Sequence, residues 1–326
     1  MRNKSVFKQI VKATQEADFI LIFPHVIPDG DTIGCAAALY RALKKNGKKV
    51  KVIDENDIPG YLKFLSKEYK TNEVFNEQPD LCISVDCSDL GRLGKRKEAF
   101  FSGKDTVNID HHPTNTCYAN LNYVDKNASA TGEIIFDLLR NINAEFDQFI
   151  AEAIYSAIST DTGSFKYTNT SVKSHLVAAE LLGLGVDLNE ISVELYQNTR
   201  LEKILLEKEV LGTLEILFDG KAASAYVVQD MLTKTDAVMD ESEGFIEILR
   251  NIQGVEVAIL FKEIHPDEIK IGLRAKRFAD VSKIAMKFGG GGHVKAAGCS
   301  IKGSLDDAKK LVYEATEEML NSMIQE

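Results

Sequence analysis

The first half of the chain alternates short unbroken apolar runs with longer stretches of helical periodicity. Unbroken apolar runs are typical of parallel strands covered on both faces, and apolar residues spaced three and four apart are typical of amphipathic helices. The runs predict four strands, at residues 18–23, 49–54, 81–85 and 106–109. The periodic stretches predict helices at 32–45, 131–140, 149–159 and 171–182. Strands interleaved with helices in this way predict a doubly wound, mainly parallel α/β sheet.

The pattern changes after residue 185, where the unbroken apolar runs end. Residues 187–214 predict one or two connecting helices rich in Leu, Glu and Lys. Beyond them, period-two alternation predicts strands with one solvated face, at 222–228, 255–262 and 268–276. Helical periodicity predicts helices at 243–250, 281–288 and 306–323. We therefore expect a smaller α+β domain at 215–326, joined by a helical linker at 186–214 to a first domain at 1–185.

Charge and cysteine usage narrow the classes of function. The 326 residues carry 39 Lys and Arg against 49 Asp and Glu, a net charge of −10. This balance argues against a broad electropositive surface for a long duplex or an anionic membrane. It is compatible with a local pocket for a small anion. The five cysteines form no Cys-x-x-Cys pair, which argues against a disulfide framework or a zinc knuckle. With no signal-peptide pattern and no long apolar run near the N-terminus, the sequence predicts a reduced, cytoplasmic protein.

Acidic and histidine side chains stand at the ends of the predicted elements. In an open α/β sheet, ligands bind outside the carboxyl ends of the strands, so residues that follow different strands converge there. Each residue alone has an ordinary explanation as a helix cap, a turn residue or a surface histidine. Four such groups together predict a metal site. They are His25, Asp29 and Asp31 after the first strand, Asp86 after the third, Asp110, His111 and His112 after the fourth, and Asp161 at a helix end.

The residue types indicate which metal and which reaction to expect. Carboxylates and imidazoles without thiolates favour a hard or borderline divalent ion such as Mn²⁺ or Mg²⁺ over a structural zinc. Five Asp and three His are too many ligands for one ion and suit two. Two ions about 3.5–4 Å apart can hold both the attacking and the leaving oxygen of a phosphoryl group. The set therefore predicts phosphoester hydrolysis.

These residues also carry a resemblance to a known family. The motifs His25-x-x-Pro-Asp-x-Asp31, Val85-Asp86-x-Ser-Asp89, Asp110-His111-His112 and Thr160-Asp161-Thr-Gly163 resemble, in order, the four motifs of the DHH phosphoesterases. The run Gly289–Gly292 followed by His293, with Leu273-Arg274-Ala-Lys276 before it, is similar to the signature of the DHH-associated C-terminal domain. Length and domain pairing are most similar to the NrnA-like branch of nano-RNases and 3′-phosphoadenosine 5′-phosphate (pAp) phosphatases. One departure is Cys35, where the family often has Ser.

The resemblance implies a role for each residue of the cluster. One ion would be held by His25, Asp29 and Asp86, and a second by Asp31, Asp86, His111 and Asp161, so that Asp86 bridges them. The catalytic residues would be Asp86, His112 and Asp110, of which Asp110 orients a histidine and His112 faces the substrate phosphate. A hydroxide between the ions would be the nucleophile. Mn²⁺ is the expected ion, with Mg²⁺ and Co²⁺ as alternatives.

The second domain holds the residues predicted to bind substrate. In the strand predicted at 268–276, Lys270, Gly272, Arg274 and Lys276 share one face, a pattern that by itself favours an ordinary solvated face. Consecutive glycines let peptide N–H groups approach a ligand closely, although a flexible hinge is the alternative. The resemblance favours binding and implies that the nucleotide end of the substrate is held by Arg274, Lys276, Gly290, Gly291, Gly292 and His293.

Together these features predict a two-metal phosphoesterase that converts very short oligonucleotides (nano-RNA, pApA), pAp or both to mononucleotides. The expected partners are short single-stranded oligonucleotides or nucleotide phosphates, with no long duplex and no membrane; a homodimer is one alternative for the oligomeric state. Neither a Gly-x-Gly-x-x-Gly run nor a P-loop is present. The alternatives are a cyclic di-AMP phosphodiesterase, an inorganic pyrophosphatase or polyphosphatase, and a nucleotide-sensing module with a vestigial metal site.

Overall fold

The computed structural model describes residues 2–69 and 76–324, which form two compact units. The first unit is Met1–Asn198 and the second is Thr199–Glu326. The boundary falls inside the segment expected to connect the domains. The finer division at residues 185 and 215 stays a prediction.

A five-stranded parallel sheet forms the centre of the first unit, in the order β2-β1-β3-β4-β5. The winding reverses between the neighbouring strands β1 and β3, which makes the sheet doubly wound and confirms the predicted fold class. At such a reversal point the connections leave in opposite directions and open a crevice beyond the strand ends. The strands are β1 (Phe19–Phe23), β2 (Lys49–Val52), β3 (Leu81–Val85), β4 (Asp105–Asp110) and β5 (Leu121–Val124).

The two faces of this sheet are covered differently. Ile20 and Ile22 of β1 point into a large core formed with the long helices, whereas Leu21 and Phe23 point to the opposite face and pack near Phe100. This explains the unbroken apolar run, because every side chain of β1 is buried. The helices are α1 (Arg2–Glu16), α2 (Gly30–Lys45), α3 (Lys63–Ser66), α4 (Lys97–Phe100), α5 (Thr131–Asn141), α6 (Gln148–Asp161), α7 (Val172–Gly183) and α8 (Leu188–Ser192).

Helices α2 and α6 pack against each other through glycines. A Cβ on Gly34 would lie 2.4 Å from the carbonyl oxygen of Ala153, and a Cβ on Gly30 would lie 2.4 Å from the side chain of Thr160. Only glycine permits so close an approach. The start of α2, with Asp31, therefore lies against the end of α6, with Asp161.

A six-stranded mixed sheet forms the centre of the second unit, in the order β10-β11-β9-β8-β7-β6. All its neighbouring strands are antiparallel except the parallel pair β7–β8. The strands are β6 (Glu215–Leu217), β7 (Ala222–Val227), β8 (Val257–His265), β9 (Glu268–Ala275), β10 (Gly291–His293) and β11 (Ala296–Lys302). The helices are α9 (Leu201–Leu211), α10 (Gln229–Thr235), α11 (Phe245–Asn251), α12 (Val281–Lys287) and α13 (Leu305–Ile324).

The prediction that these strands have one solvated face is wrong for β7 and for most of β8. Helices α9, α10 and α11 pack on one face of the sheet, while α12 and α13 pack on the other. The small side chains of β7, such as Ala223 and Ala225, allow helices to approach from both sides. The sheet is therefore the middle of three layers.

The five cysteines are free thiols, and Cys117 is the exposed one among them. Within residues 2–69 and 76–324, no helix is long and apolar enough to cross a membrane.

Candidate metal centre and glycine-rich strand

The predicted acidic and histidine residues of the first unit meet at the carboxyl edge of its sheet. His25 follows β1, Asp86 follows β3, and Asp110 ends β4. Asp31 and Asp161 reach the same edge from the adjoining ends of α2 and α6. The cluster thus lies at the β1/β3 reversal point, where α/β sheets commonly bind their ligands.

Thr32, which sequence reasoning did not single out, connects three segments of this edge. Its backbone N–H donates to Asp29 Oδ1 (3.0 Å), the cap of α2. Its hydroxyl donates to the Val85 carbonyl (3.1 Å) and accepts from the His25 N–H (3.0 Å). These bonds fix the loop that carries His25 and Asp29 to the end of β3.

Thr131, at the start of α5, is a second positioning residue that no sequence pattern singles out. Its N–H donates to Asp31 Oδ2 (2.6 Å), the N–H of Gly132 donates to Asp31 Oδ1 (2.9 Å), and its hydroxyl donates to Asp86 Oδ1 (2.9 Å). A helix N-terminus stabilises negative charge. Asp86 has a φ of 59°, a left-handed conformation that is unfavourable for most side chains and is often found at functional sites.

The ligand atoms of the cluster fall into overlapping triads whose atoms all lie within 4.8 Å of one another. His25 Nε2 is 3.2 Å from Asp29 Oδ2 and 3.4 Å from Asp86 Oδ2. His111 Nε2 is 3.2 Å from Asp161 Oδ2 and 3.6 Å from Asp86 Oδ1. The triads are His25/Asp29/Asp86, Asp31/His111/Asp161 and Asp86/His111/His112. The first triad has the residues of one ligand set that the resemblance implies, and the second has three of the four residues of the other set; the fourth, Asp86, joins His111 in the third triad. That these residues bind metal stays a prediction.

The electrostatics of the cluster favour a bound cation. Burial, followed by repulsion from Asp86, raises the pKa of Asp31 well above its usual value. Burial and then the charge of Asp31 raise the pKa of Asp161 to about 8. Burial opposes protonation of His111, but the carboxylates of Asp31, Asp161 and Asp86 outweigh it and raise the pKa of His111 to about 9. Among the described residues, no Lys or Arg forms an ion pair with these carboxylates, so the donor set fits hard divalent ions.

A hydrogen-bonded chain orients His112. Asp110 is fully buried; its Oδ1 lies 2.7 Å from His112 Nδ1, and its Oδ2 accepts from Asn115 Nδ2 (2.5 Å). Asn115 Nδ2 also lies 2.8 Å from Asn108 Oδ1. Burial opposes ionisation of Asp110, but the hydrogen bond from His112 and the charge of that ring lower its pKa. A carboxylate can only accept, so Nδ1 of His112 carries a hydrogen and Nε2 is left for another partner.

The second histidine of this motif is oriented by the backbone. His111 Nδ1 lies 3.1 Å from the carbonyl oxygen of Ala128 and donates to it. This leaves Nε2 directed at Asp86 and Asp161, as in metal-binding histidines whose other nitrogen bonds a carbonyl.

In the second unit, the predicted glycine loop forms a short edge strand. β10 pairs with β11 through Gly291–Gly298, Gly292–Ala297 and His293–Ala296, so one side of its backbone faces away from the sheet. A Cβ on Gly290 would lie 2.2 Å from the Gly298 carbonyl, and one on Gly292 would lie 2.5 Å from the Ala296 carbonyl. Gly291 is different, because a Cβ there meets nothing within 4 Å and its φ is not positive.

The predicted cationic face of β9 is partly covered by α11. Arg274 Nε donates to Glu247 Oε1 (3.0 Å), and Lys276 Nζ donates to the carbonyl of Ile252 (2.7 Å). Arg274 is paired with Ala296 in the ladder between β9 and β11, next to His293 of β10. Arg274 of β9 and His293 of β10 therefore lie on opposite sides of the same β11 residue, Ala296, with β11 between their strands, and Lys276 follows the end of β9.

Comparisons with known proteins cover both units. Residues 19–158 match the model of the DHH family, N-terminal domain, and residues 219–321 match the DHHA1 domain. The chain is 34% identical over 316 residues to the bifunctional oligoribonuclease and PAP phosphatase NrnA of Thermus thermophilus, covering 96% of this chain and 93% of that protein. It is 28% identical over 309 residues to the protein of the same name from Bacillus subtilis, covering 94% and 96%.

The fold also matches a solved structure. The crystal structure of an exopolyphosphatase-related protein from Bacteroides fragilis superposes with a TM-score of 0.91 at 27% identity, covering 99% of this chain and 98% of that one. The similarity therefore includes every element that carries the residues described above.

Proposed function

The chain belongs to the DHH family, with a DHHA1 domain after its DHH domain, and on this premise we propose that it is a metal-dependent phosphoesterase that cuts very short oligonucleotides and pAp to mononucleotides. The observation that carries the proposal is the similarity to bifunctional oligoribonuclease and PAP phosphatases over nearly the full length of both proteins. The clustered carboxylates and histidines in the first unit support it.

The DHH domain holds the metal ions in this proposal. His25, Asp29 and Asp86 hold one divalent cation, and Asp31, His111 and Asp161 hold a second together with Asp86. When bound, such a pair supplies positive charge to the phosphoryl oxygens and lowers the pKa of water for attack. Mn²⁺ is our first choice because the ligands are oxygen and imidazole nitrogen.

His112 moves a proton in this scheme. Its Nδ1 is engaged by Asp110 (2.7 Å), so the ring is oriented, and when the ring also carries a proton on Nε2 it can give that proton to the leaving oxygen and return to the neutral form. Asn115 holds the other oxygen of Asp110 and prevents that carboxylate from rotating. Asp31 and Asp86 are in turn held by the start of α5 through Thr131.

The DHHA1 domain binds the nucleotide portion of the substrate. β10 lies at the edge of its sheet, and Gly291 leaves its outer backbone open to an oxyanion. Lys276 adds positive charge, the exposed ring of His293 adds hydrogen-bonding nitrogens, and Arg274 adds the guanidinium nitrogens that Glu247 does not engage. The three residues of β10 span about 10 Å, which suits one terminal nucleotide better than a long strand.

A single panel of substrates tests the proposal. With Mn²⁺, the protein should release mononucleotides from pApA and from an unmodified dinucleotide, and phosphate from pAp, and act more slowly on a 24-mer. Cyclic di-AMP and pyrophosphate in the same panel test the alternative activities; faster turnover of either one would overturn our assignment. Asp86→Asn is the matched inactive control, and activity that survives in it would show that a contaminating enzyme is responsible.

We also propose that the protein works in the cytoplasm, where its five free thiols stay reduced. Sedimentation of the wild-type protein tests whether it is a homodimer.

A further inference from the structure

Phe278, just after β9, is exposed in a way that the fold of the second unit does not explain. Its side chain is 54% accessible, although phenylalanine is among the residue types most often buried. Phe101, the other strongly exposed phenylalanine of the described residues, contacts the ring of Phe100. No aromatic ring or cation within the described part of the chain lies against the ring of Phe278. Its apolar face is therefore available to a ligand.

The backbone beneath Phe278 is held by a buried carboxylate. Glu256 is only 3% exposed, and its Oε1 accepts the backbone N–H groups of Arg277 (2.9 Å), Phe278 (2.7 Å) and Ala279 (2.8 Å). Its Oε2 accepts from Arg277 as well (3.1 Å). A buried carboxylate that accepts several N–H groups is well satisfied and costly to displace. The turn that presents Phe278 is therefore rigid.

Lys295 holds the same turn from the other side. Its Nζ donates to the carbonyls of Arg277 (2.5 Å) and Ala279 (3.1 Å), the two residues that flank Phe278. The backbone of this segment also bonds the turn that follows β10, through Ala275 N–H to Lys295 O (2.9 Å) and Val281 N–H to Val294 O (3.0 Å). Phe278 therefore stands on a segment bonded directly to the residues that follow His293.

Three cationic residues lie near Phe278, and the two carboxylates of this segment, Glu256 and Asp280, bond N–H and O–H groups of neighbouring residues and not these cations. Lys276, Arg277 and Lys295 lie within this segment or bond to it, and none of the three forms an ion pair with a carboxylate of the described residues. Lys276 and Lys295 instead donate to neutral carbonyl groups, so their charge is fixed in place without being cancelled. An open aromatic face among fixed cations is the combination with which proteins bind single-stranded nucleic acid.

We propose that Phe278 is a stacking platform for the nucleobase of the nucleotide that the DHHA1 domain binds. The inference rests on the proposed function, since it assigns the base contact of that same substrate. The ligand class is a nucleoside phosphate whose base lies on the phenyl ring and whose phosphate faces the cations and β10. Stacking on a flat ring tolerates any base. Phe278 therefore makes binding depend on the presence of a base but does not select which base is bound.

The test compares substrates with and without a base. Three dinucleotides share one scissile bond: the complete one, one that lacks the 5′ base and one that lacks the 3′ base. With Phe278→Ala, KM for the complete dinucleotide should rise by about 5- to 150-fold, the range for one lost stacking contact, while kcat changes little. On one of the two abasic substrates, the variant and the wild-type protein should have the same KM.

Two further variants separate stacking from structure. Phe278→Trp keeps a flat ring and should retain the wild-type KM, and Met286→Ala, an exposed apolar side chain of the same unit, should change nothing. The thermal midpoint of Phe278→Ala should equal that of the wild type, because the side chain is largely exposed. An unchanged KM in Phe278→Ala, or an equal loss on all three substrates, would overturn the proposal.

If the proposed function is wrong, the experiment gives a different result from the one expected if only the stacking proposal is wrong. If the wild-type protein with Mn²⁺ cuts none of the three dinucleotides, the phosphoesterase assignment fails, whatever Phe278 does. Binding of AMP, measured by calorimetry, then tests the platform alone: wild-type affinity that falls in Phe278→Ala supports it, and equal affinity or no binding refutes it.

Discussion

Gly291 and Gly290 are neighbours in sequence, but alanine should affect them in opposite ways. At Gly290 an added Cβ would lie 2.2 Å from the Gly298 carbonyl and 2.5 Å from Cys299 Cβ. Backbone atoms of β11 cannot move aside, so Gly290→Ala should lower the free energy of unfolding by about 1–3 kcal/mol, the usual cost of overpacking. At Gly291 nothing lies within 4 Å and φ is not positive. Gly291→Ala should therefore raise the free energy of unfolding by about 0.4–1 kcal/mol, through the entropy of the unfolded chain.

The two variants should also differ in their kinetics. If a substrate phosphate approaches the outer edge of β10, the new methyl group of Gly291→Ala keeps it away. Loss of one hydrogen bond to a charged group costs about 1.5–3 kcal/mol, equivalent to about 10- to 150-fold in KM. The assay is urea unfolding of each variant, followed by kcat and KM on pApA with Mn²⁺. A Gly291→Ala protein that is stable and has the wild-type KM would refute the role of this edge in substrate binding.

Three further predictions concern the metal centre. Asp86→Asn retains the left-handed backbone, which asparagine tolerates. It should abolish turnover and raise the thermal midpoint of the metal-free protein, because a buried carboxylate is removed. Retained turnover at saturating Mn²⁺ would contradict the ligand role. Asn115→Ala should lower kcat about 10-fold or more with KM and Mn²⁺ affinity unchanged, since it frees Asp110 and so His112; an equal loss of Mn²⁺ affinity would place Asn115 in the metal site instead. Burial and neighbouring carboxylates raise the pKa of Asp161 to about 8, so the metal-free folded state binds a proton that Mn²⁺ must displace. The Mn²⁺ affinity measured by calorimetry should therefore rise from pH 6 to pH 8. An affinity that is constant or falls over this range would contradict the role of Asp161 as a metal ligand.

The sequence predicted best those elements whose burial leaves a clear pattern. β3 was predicted at its observed bounds because each of its residues is buried, and the members of the acidic and histidine cluster were selected because they stand where apolar elements end. β10 and β11 were missed, since consecutive glycines carry no apolar pattern and their pairing depends on contacts with β9. β5 was missed as well, because it is an edge strand of only four half-buried residues.

The residues that hold this cluster in position were harder to predict than the members of the cluster. Thr131 contacts an aspartate 100 residues earlier in the chain, and no local pattern distinguishes it from an ordinary first residue of a helix. Asn115 resembles a turn residue until the fold brings its amide to Asp110. α1 is different, since its residues Val6, Phe7, Ile10 and Val11 have helical spacing that could have predicted it.

The length of the preferred substrate tests the account most directly. The net charge of −10 offers no extended basic track for a long strand, and the three-residue edge of β10 suits a single terminal nucleotide. We therefore predict that kcat/KM, measured with Mn²⁺ at one salt concentration on single-stranded RNA from 2 to 24 nucleotides, is highest at two to five nucleotides and falls steeply beyond. A value that stays constant up to 24 nucleotides, or that rises with length, would contradict the assignment of this protein to very short substrates.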